Sequence, residues 1–138
     1  MPSIKHLLYV VLIFLTLIDC QHVKKIKQNE NIICKEAYTL IQKYKSDKDF
    51  VIVDFRPEKK YNKAHIKNAI FFDVFSNKID VWLDSLNRQK TYLIYCTRGN
   101  RSSIALNKMK KMGFKNVYHM FQGINSWKKN GYAVISKN

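Results

Sequence analysis

Chemistry in this 138-residue chain concentrates in Tyr95-Cys96-Thr97-Arg98-Gly99-Asn100-Arg101-Ser102. Cysteine attacks as the thiolate, so the surroundings of Cys96 decide what it can do. Gly99 can take backbone angles closed to other residues. A loop turned that way can point successive N–H groups inward around a sulfur, forming an anion-binding nest. A helix starting at Ser102 would add the positive end of its dipole. Arg98 and Arg101 add two full cations. Each effect favours thiolate over thiol and draws the Cys96 pKa below its ordinary value. An isolated cysteine at a strand end is more often a small buried hydrophobe. The succession of strand, Cys, Gly, Arg and helix argues for a nucleophile held in an anion-binding cup.

The flanking patterns must supply that strand and helix. Thr91 to Tyr95 reads as a buried strand, and Ser102 to Met112 as a helix closed by Gly113. Phe50 to Phe55, Ala69 to Phe72 and Val117 to Met120 read as further strands. Cys34 to Tyr44, Tyr61 to His65, Ile79 to Leu86 and Ile124 to Lys129 read as helices. Alternating strands and helices predict an α/β fold, a mostly parallel central sheet with helices on both faces. Cys96 then sits at the carboxyl edge of the sheet, where open α/β folds place their ligands.

The ordered residues resemble the rhodanese sulfurtransferases. Cys96, Gly99, Arg101 and Ser102 match that family's Cys-x-x-Gly-x-Arg-Ser loop in register. Asp54-Phe55-Arg56 is similar to its Asp-x-Arg strand end. Glu58, Tyr61, His65, Ile66 and Ala69 follow the next segment. Gly113-Phe114, Asn116-Val117-Tyr118, Gly123, Trp127 and Gly131 follow the closing pattern. Ala64, Lys67-Asn68 and Gln122 depart from the usual Gly, Pro-Gly and first Gly of a Gly-Gly pair. The resemblance spans residues 32 to 136. It implies that Cys96 takes sulfur from a donor, becomes a persulfide, and yields the sulfur to a thiophilic acceptor such as cyanide or a thiol. It further implies that Thr97, Arg98, Gly99, Asn100, Arg101 and Ser102 form the substrate-binding cradle, Arg98 suiting an anionic donor such as thiosulfate. No cofactor and no metal is expected. His22, His65 and His119 are widely spaced, and no Cys-x-x-Cys pair is present.

Asp54, Arg56 and His65 are expected to support the site. A buried carboxylate at a sheet edge calls for a partner. Asp54 is therefore read as half of a structural ion pair, with Arg101 as the candidate partner. His65 and His119 read as packed histidines. Phe71, Phe72, Phe75, Trp82 and Trp127 read as core or rim packing. Cys34 reads as structural.

Two other functions compete. A cysteine phosphatase needs Cys-x5-Arg to surround phosphate, and Cys96 to Arg101 is one residue short. A non-catalytic or sulfur-carrier binding module of the same fold is the nearer alternative, although this chain keeps its nucleophile.

Residues 1 to 20 read as an export signal. Lys5 and His6 precede Leu7 to Ile18, twelve residues without charge, Gly or Pro. That run is shorter than a comfortable membrane span. Cys20 follows it and is a candidate for lipidation, which would attach the chain to a membrane, as would an uncleaved signal. Residues 21 to 31 read as a polar linker and residues 32 to 138 as the domain. An exported single-domain member resembles the phage-shock-protein-E type, which implies a bacterial, periplasmic setting. The net charge of +15 comes from 25 Lys+Arg against 10 Asp+Glu. Only 4 of the cations are Arg, and the chain has 12 Asn. Scattered Lys without Arg forks does not make a nucleic-acid surface, so no nucleic-acid partner is expected.

Overall fold

The computed structural model describes residues 30–137. The expected signal, Cys20 and nearly all of the linker lie outside the described residues. The elements run β1 (Asn31–Ile32), α1 (Cys34–Lys43), β2 (Phe50–Asp54), α2 (Glu58–Lys63), β3 (Ile70–Phe71), α3 (Ile79–Asp84), β4 (Thr91–Tyr95), α4 (Asn100–Lys111), β5 (Asn116–Met120) and α5 (Gly123–Lys129). The five strands form one sheet in the order β1-β5-β4-β2-β3, every neighbouring pair parallel. This is the α/β architecture with a parallel sheet that the sequence predicts.

Side-chain alternation along the strands divides the core in two. Leu93 and Tyr95 of β4 face one side, with Ile52, Ala37, Leu40, Met120, Ile124 and Trp127. Tyr92 and Ile94 face the other, with Val53, Leu83, Ala105, Met109 and Val117. Helices α1 and α5 cover the first face, and α3 and α4 the second. The central strand β4 is thus buried on both sides, which explains its unbroken apolar run.

Several boundaries differ from expectation, and three of them have a local reason. Asn31, expected to end the linker, opens β1 and pairs with His119, while the Glu30 carbonyl accepts the His119 N–H at 3.0 Å. A two-residue strand is too short to show any period. Helix α2 starts at Glu58 rather than Tyr61 because the Pro57 carbonyl closes its first turn, accepting the Lys60 N–H at 2.9 Å and the Tyr61 N–H at 3.2 Å. Helix α4 starts at Asn100, two residues before the expected Ser102. Gly99 ends the loop at φ of +93° and accepts the Ser103 N–H at 2.9 Å. Asn68 replaces a glycine of the family pattern and still takes φ of +66°, a left-handed turn that Asn tolerates. Gln122 has acquired its own task. Its side-chain oxygen accepts the Cys34 N–H at 3.1 Å, satisfying a free donor at the start of α1.

Candidate active site

Cys96 follows the last residue of β4. Its carbonyl accepts the Ile124 N–H at 2.9 Å, and the Thr97 carbonyl accepts the Asn125 N–H at 3.2 Å. The first turn of α5 therefore clamps the strand end. Gly123, at φ of +68°, allows that approach, since a Cβ there would collide with the Thr97 carbonyl. Gly99 does the same on the other side, lying against the Phe121 carbonyl. Four residues, Cys96 to Gly99, are thereby bent back over the sheet edge.

The bend aims donors at the sulfur. The Gly99 N–H donates to Cys96 Sγ at 3.1 Å, and Ser102 Oγ lies 3.4 Å from Sγ. Burial, at 2% exposure, pushes the thiol pKa up. The Ser102 hydroxyl and the N–H groups of Ser102, Arg98 and Arg101 more than reverse it, so the net direction is down. Cys34, the other cysteine among the described residues, is pushed up by burial. Its Sγ reaches the Gly123 carbonyl at 3.9 Å, and the hydrogen bond with the Ser126 side chain offsets only part of the effect of burial.

Above Cys96 lies a pocket of about 240 Å³ lined by Lys60, Cys96, Thr97, Arg98, Asn100, Arg101 and Asn125. Three of these seven are cations and none is a carboxylate. A nucleophilic sulfur at the base of a cationic cup suits an anionic substrate. Lys60 and Asn125 escaped the sequence analysis. They enter the wall from α2 and α5, and no local motif marks them. Gly99 and Ser102, expected in the substrate-binding cradle, do not line this pocket and meet the sulfur itself, through the Gly99 N–H and the Ser102 hydroxyl. Ser102 is fully buried.

The expected Asp54–Arg101 pair does not form. Arg56 takes Asp54 in a fork, Nε to Oδ1 at 2.8 Å and Nη2 to Oδ2 at 2.6 Å. Its Nη2 also donates to the Ala64 carbonyl at 2.6 Å. The nearer cation on the same strand end satisfies the carboxylate with a bidentate geometry. Tyr95 completes the cluster. Burial and the Asp54 carboxylate hold its phenol protonated, and its oxygen accepts the Ile66 N–H at 3.1 Å. Arg101 stays with the pocket. Its guanidinium carbon lies 5.1 Å from the ring centre of Phe75, an exposed rim residue, and its buried Nη1 has no hydrogen-bond partner among the described residues. His65 stacks on Tyr61 and pairs its backbone with Ile135, so it supports the fold away from the pocket.

His119 is the residue that sequence patterning undervalued. Its Nε2 lies 2.7 Å from Ser102 Oγ, and its Nδ1 lies 2.8 Å from Asn31 Oδ1. Burial pushes its pKa down to about 4, with the Lys110 charge adding to the effect. The imidazole is therefore neutral near pH 7.

This parallel sheet with a Cys-centred loop at the carboxyl end of its middle strand defines a rhodanese-type domain. The family model for the rhodanese-like domain matches residues 35–130, and the chain belongs to that family. It is 31% identical over 93 residues to a thiosulfate sulfurtransferase, GlpE, of Coxiella burnetii, covering 67% of this chain and 81% of that one. It is 34% identical over 86 residues to a putative sulfur carrier protein, YrkF, of Bacillus subtilis, covering 62% and 45% respectively. Among solved structures, a rhodanese-related protein of Thermoplasma volcanium superposes with a TM-score of 0.66 at 25% identity, covering 77% of this chain and 97% of that one.

Proposed function

We propose that this protein is a sulfurtransferase that carries sulfane sulfur on Cys96 from an anionic donor of the thiosulfate type to cyanide or a thiol. The observation that supports it most is the placement of Cys96 Sγ beneath a pocket lined by Lys60, Arg98 and Arg101, with backbone N–H groups turned to the sulfur. In the first step the Cys96 thiolate attacks the outer sulfur of thiosulfate. The sulfur–sulfur bond breaks, and sulfite leaves with its electron pair. The cationic wall and the N–H cup stabilise the negative charge in both states. In the second step the acceptor attacks the outer sulfur of the persulfide. Thiocyanate or a new persulfide departs, and the cup receives the thiolate back.

The similarity to a putative sulfur carrier favours a second reading, in which the acceptor is a partner protein's thiol. It shares the Cys96 persulfide and differs only in where the sulfur goes. Both readings are tested by thiocyanate formation from thiosulfate and cyanide. The parent should form it and Cys96→Ala should not. A folded, reduced parent that forms none from any sulfane donor would overturn both.

Export belongs to the same proposal and rests on the Leu7 to Ile18 run. Cell fractionation should find the protein in the envelope, with Cys20 acylated if the lipoprotein reading holds. Recovery of unprocessed chain from the cytoplasm alone would overturn the placement.

A further inference from the structure

Arg101 brings a full cation to the pocket wall from the second residue of α4. Among the described residues no carboxylate pairs with it, and its buried Nη1 has no hydrogen-bond acceptor. A guanidinium N–H can only donate, and a buried donor left without a partner is costly. The side chain also has several rotatable bonds, so holding it in one place removes freedom. What stands against it is the ring of Phe75, with the guanidinium carbon over the ring at 5.1 Å from its centre. The face of an aromatic ring attracts a cation placed there.

The turn that carries Phe75 is itself fixed. Strand β3 ends at Phe71, beside Asp54 of β2, so the following chain leaves the sheet at the same carboxyl edge as the Cys96 loop. Val74 is buried in the core, and the next residue, Phe75, is 64% exposed. The Phe75 N–H donates to Asp73 Oδ1 at 3.1 Å, and the Ser76 N–H donates to the Asp73 carbonyl at 2.9 Å. A phenylalanine this open to water adds little to the core. Its ring instead covers the Arg101 guanidinium.

We propose that Phe75 is a positioning residue: its ring face holds the Arg101 guanidinium at the pocket, where Nη1 donates to an oxygen of the anionic sulfur donor. The inference rests on the reading that Cys96 takes sulfur from such a donor in this pocket. The donor oxygen supplies the acceptor that Nη1 lacks within the protein. Phe75 acts on donor binding through Arg101 and takes no part in the transfer of sulfur.

The test is thiosulfate binding to the full chain carrying Cys96→Ala, which can bind the donor without reacting, read by titration calorimetry. Adding Phe75→Leu keeps an apolar side chain and removes the ring face. It should weaken binding about threefold. Phe75→Tyr keeps the ring face and should leave binding unchanged. Arg101→Ala should weaken binding about tenfold. Phe75→Leu combined with Arg101→Ala should bind no more weakly than Arg101→Ala alone, because both changes act through one guanidinium. With Cys96 intact, Phe75→Leu should raise KM for thiosulfate about threefold and leave kcat little changed. A Phe75→Leu that binds like its background, a Phe75→Tyr as weak as Phe75→Leu, or additive losses in the double variant would overturn the proposal. A parent that forms no thiocyanate yet shows these binding losses would retain the positioning role and lose the sulfurtransferase reading. A parent that transfers sulfur without them would lose the positioning role alone.

Discussion

Gly99 packs directly against the carbonyl of Phe121, leaving no room for a Cβ between them. The contact ties the loop after β4 to the end of β5, and φ of +93° at Gly99 turns its N–H onto Cys96 Sγ. One glycine therefore serves both the fold and the cup.

Gly99→Ala combines a left-handed strain with a collision against backbone, which cannot swing aside. It should cost about 2 kcal/mol or more in denaturant unfolding. It should also lose the depressed Cys96 pKa, because relief of the collision moves the donor N–H away. A stable Gly99→Ala with unchanged thiolate titration would contradict this packing.

The Asp54–Arg56 fork predicts a division between two arginines. Arg56 is 5% exposed, and its partner Asp54 is fully buried. Arg56→Ala strands the carboxylate and should destabilise by about 3 kcal/mol, seen as a lower denaturation midpoint. Arg101→Ala breaks no ion pair among the described residues and should change stability by about 0.5 kcal/mol or less. Its effect should appear in KM for an anionic donor. The reverse pattern would restore the Asp54–Arg101 pairing.

Lys60 reaches the pocket from α2, outside the loop that holds the sulfur. It is exposed, so its charge acts through solvent. Lys60→Glu should raise KM for thiosulfate about fivefold, equivalent to about 1 kcal/mol, with kcat little changed. The difference should shrink as salt is added. Equal KM values at low salt would remove Lys60 from donor binding.

Buried neutral His119 gives stability a pH dependence of definite sign. Its folded pKa of about 4 lies below the ordinary 6.5. Between those values the unfolded chain binds a proton that the folded one refuses. Stability should therefore fall as pH drops from about 6.5 to about 4, by a few kcal/mol. A folded His119→Phe should lack that slope in urea unfolding followed across pH. The same slope in the variant would assign it to other groups.

Much of this was legible from residues alone. Hydrophobic period and β-branched runs located four of the five strands, and the Cys96 loop lay in register with a known pattern. What escaped depends on tertiary placement. Asn31 is one polar residue in a polar stretch, and only pairing with His119 makes it strand. Lys60 is one of 21 lysines, and only the seating of α2 puts it over Cys96. The Asp54 partner was misassigned because sequence shows charges but not the direction of the strand end that folds Arg56 back onto its neighbour.

The central claim is that Cys96 carries the transferred sulfur, and intact mass after exposure to thiosulfate tests it most directly. The reduced full chain should gain one sulfur atom, mapped to Cys96, and lose it on addition of cyanide or a thiol. Cys96→Ala should gain none even though Cys20 and Cys34 remain. Sulfur bound at Cys34 instead, or a parent that stays at its reduced mass, would contradict the account.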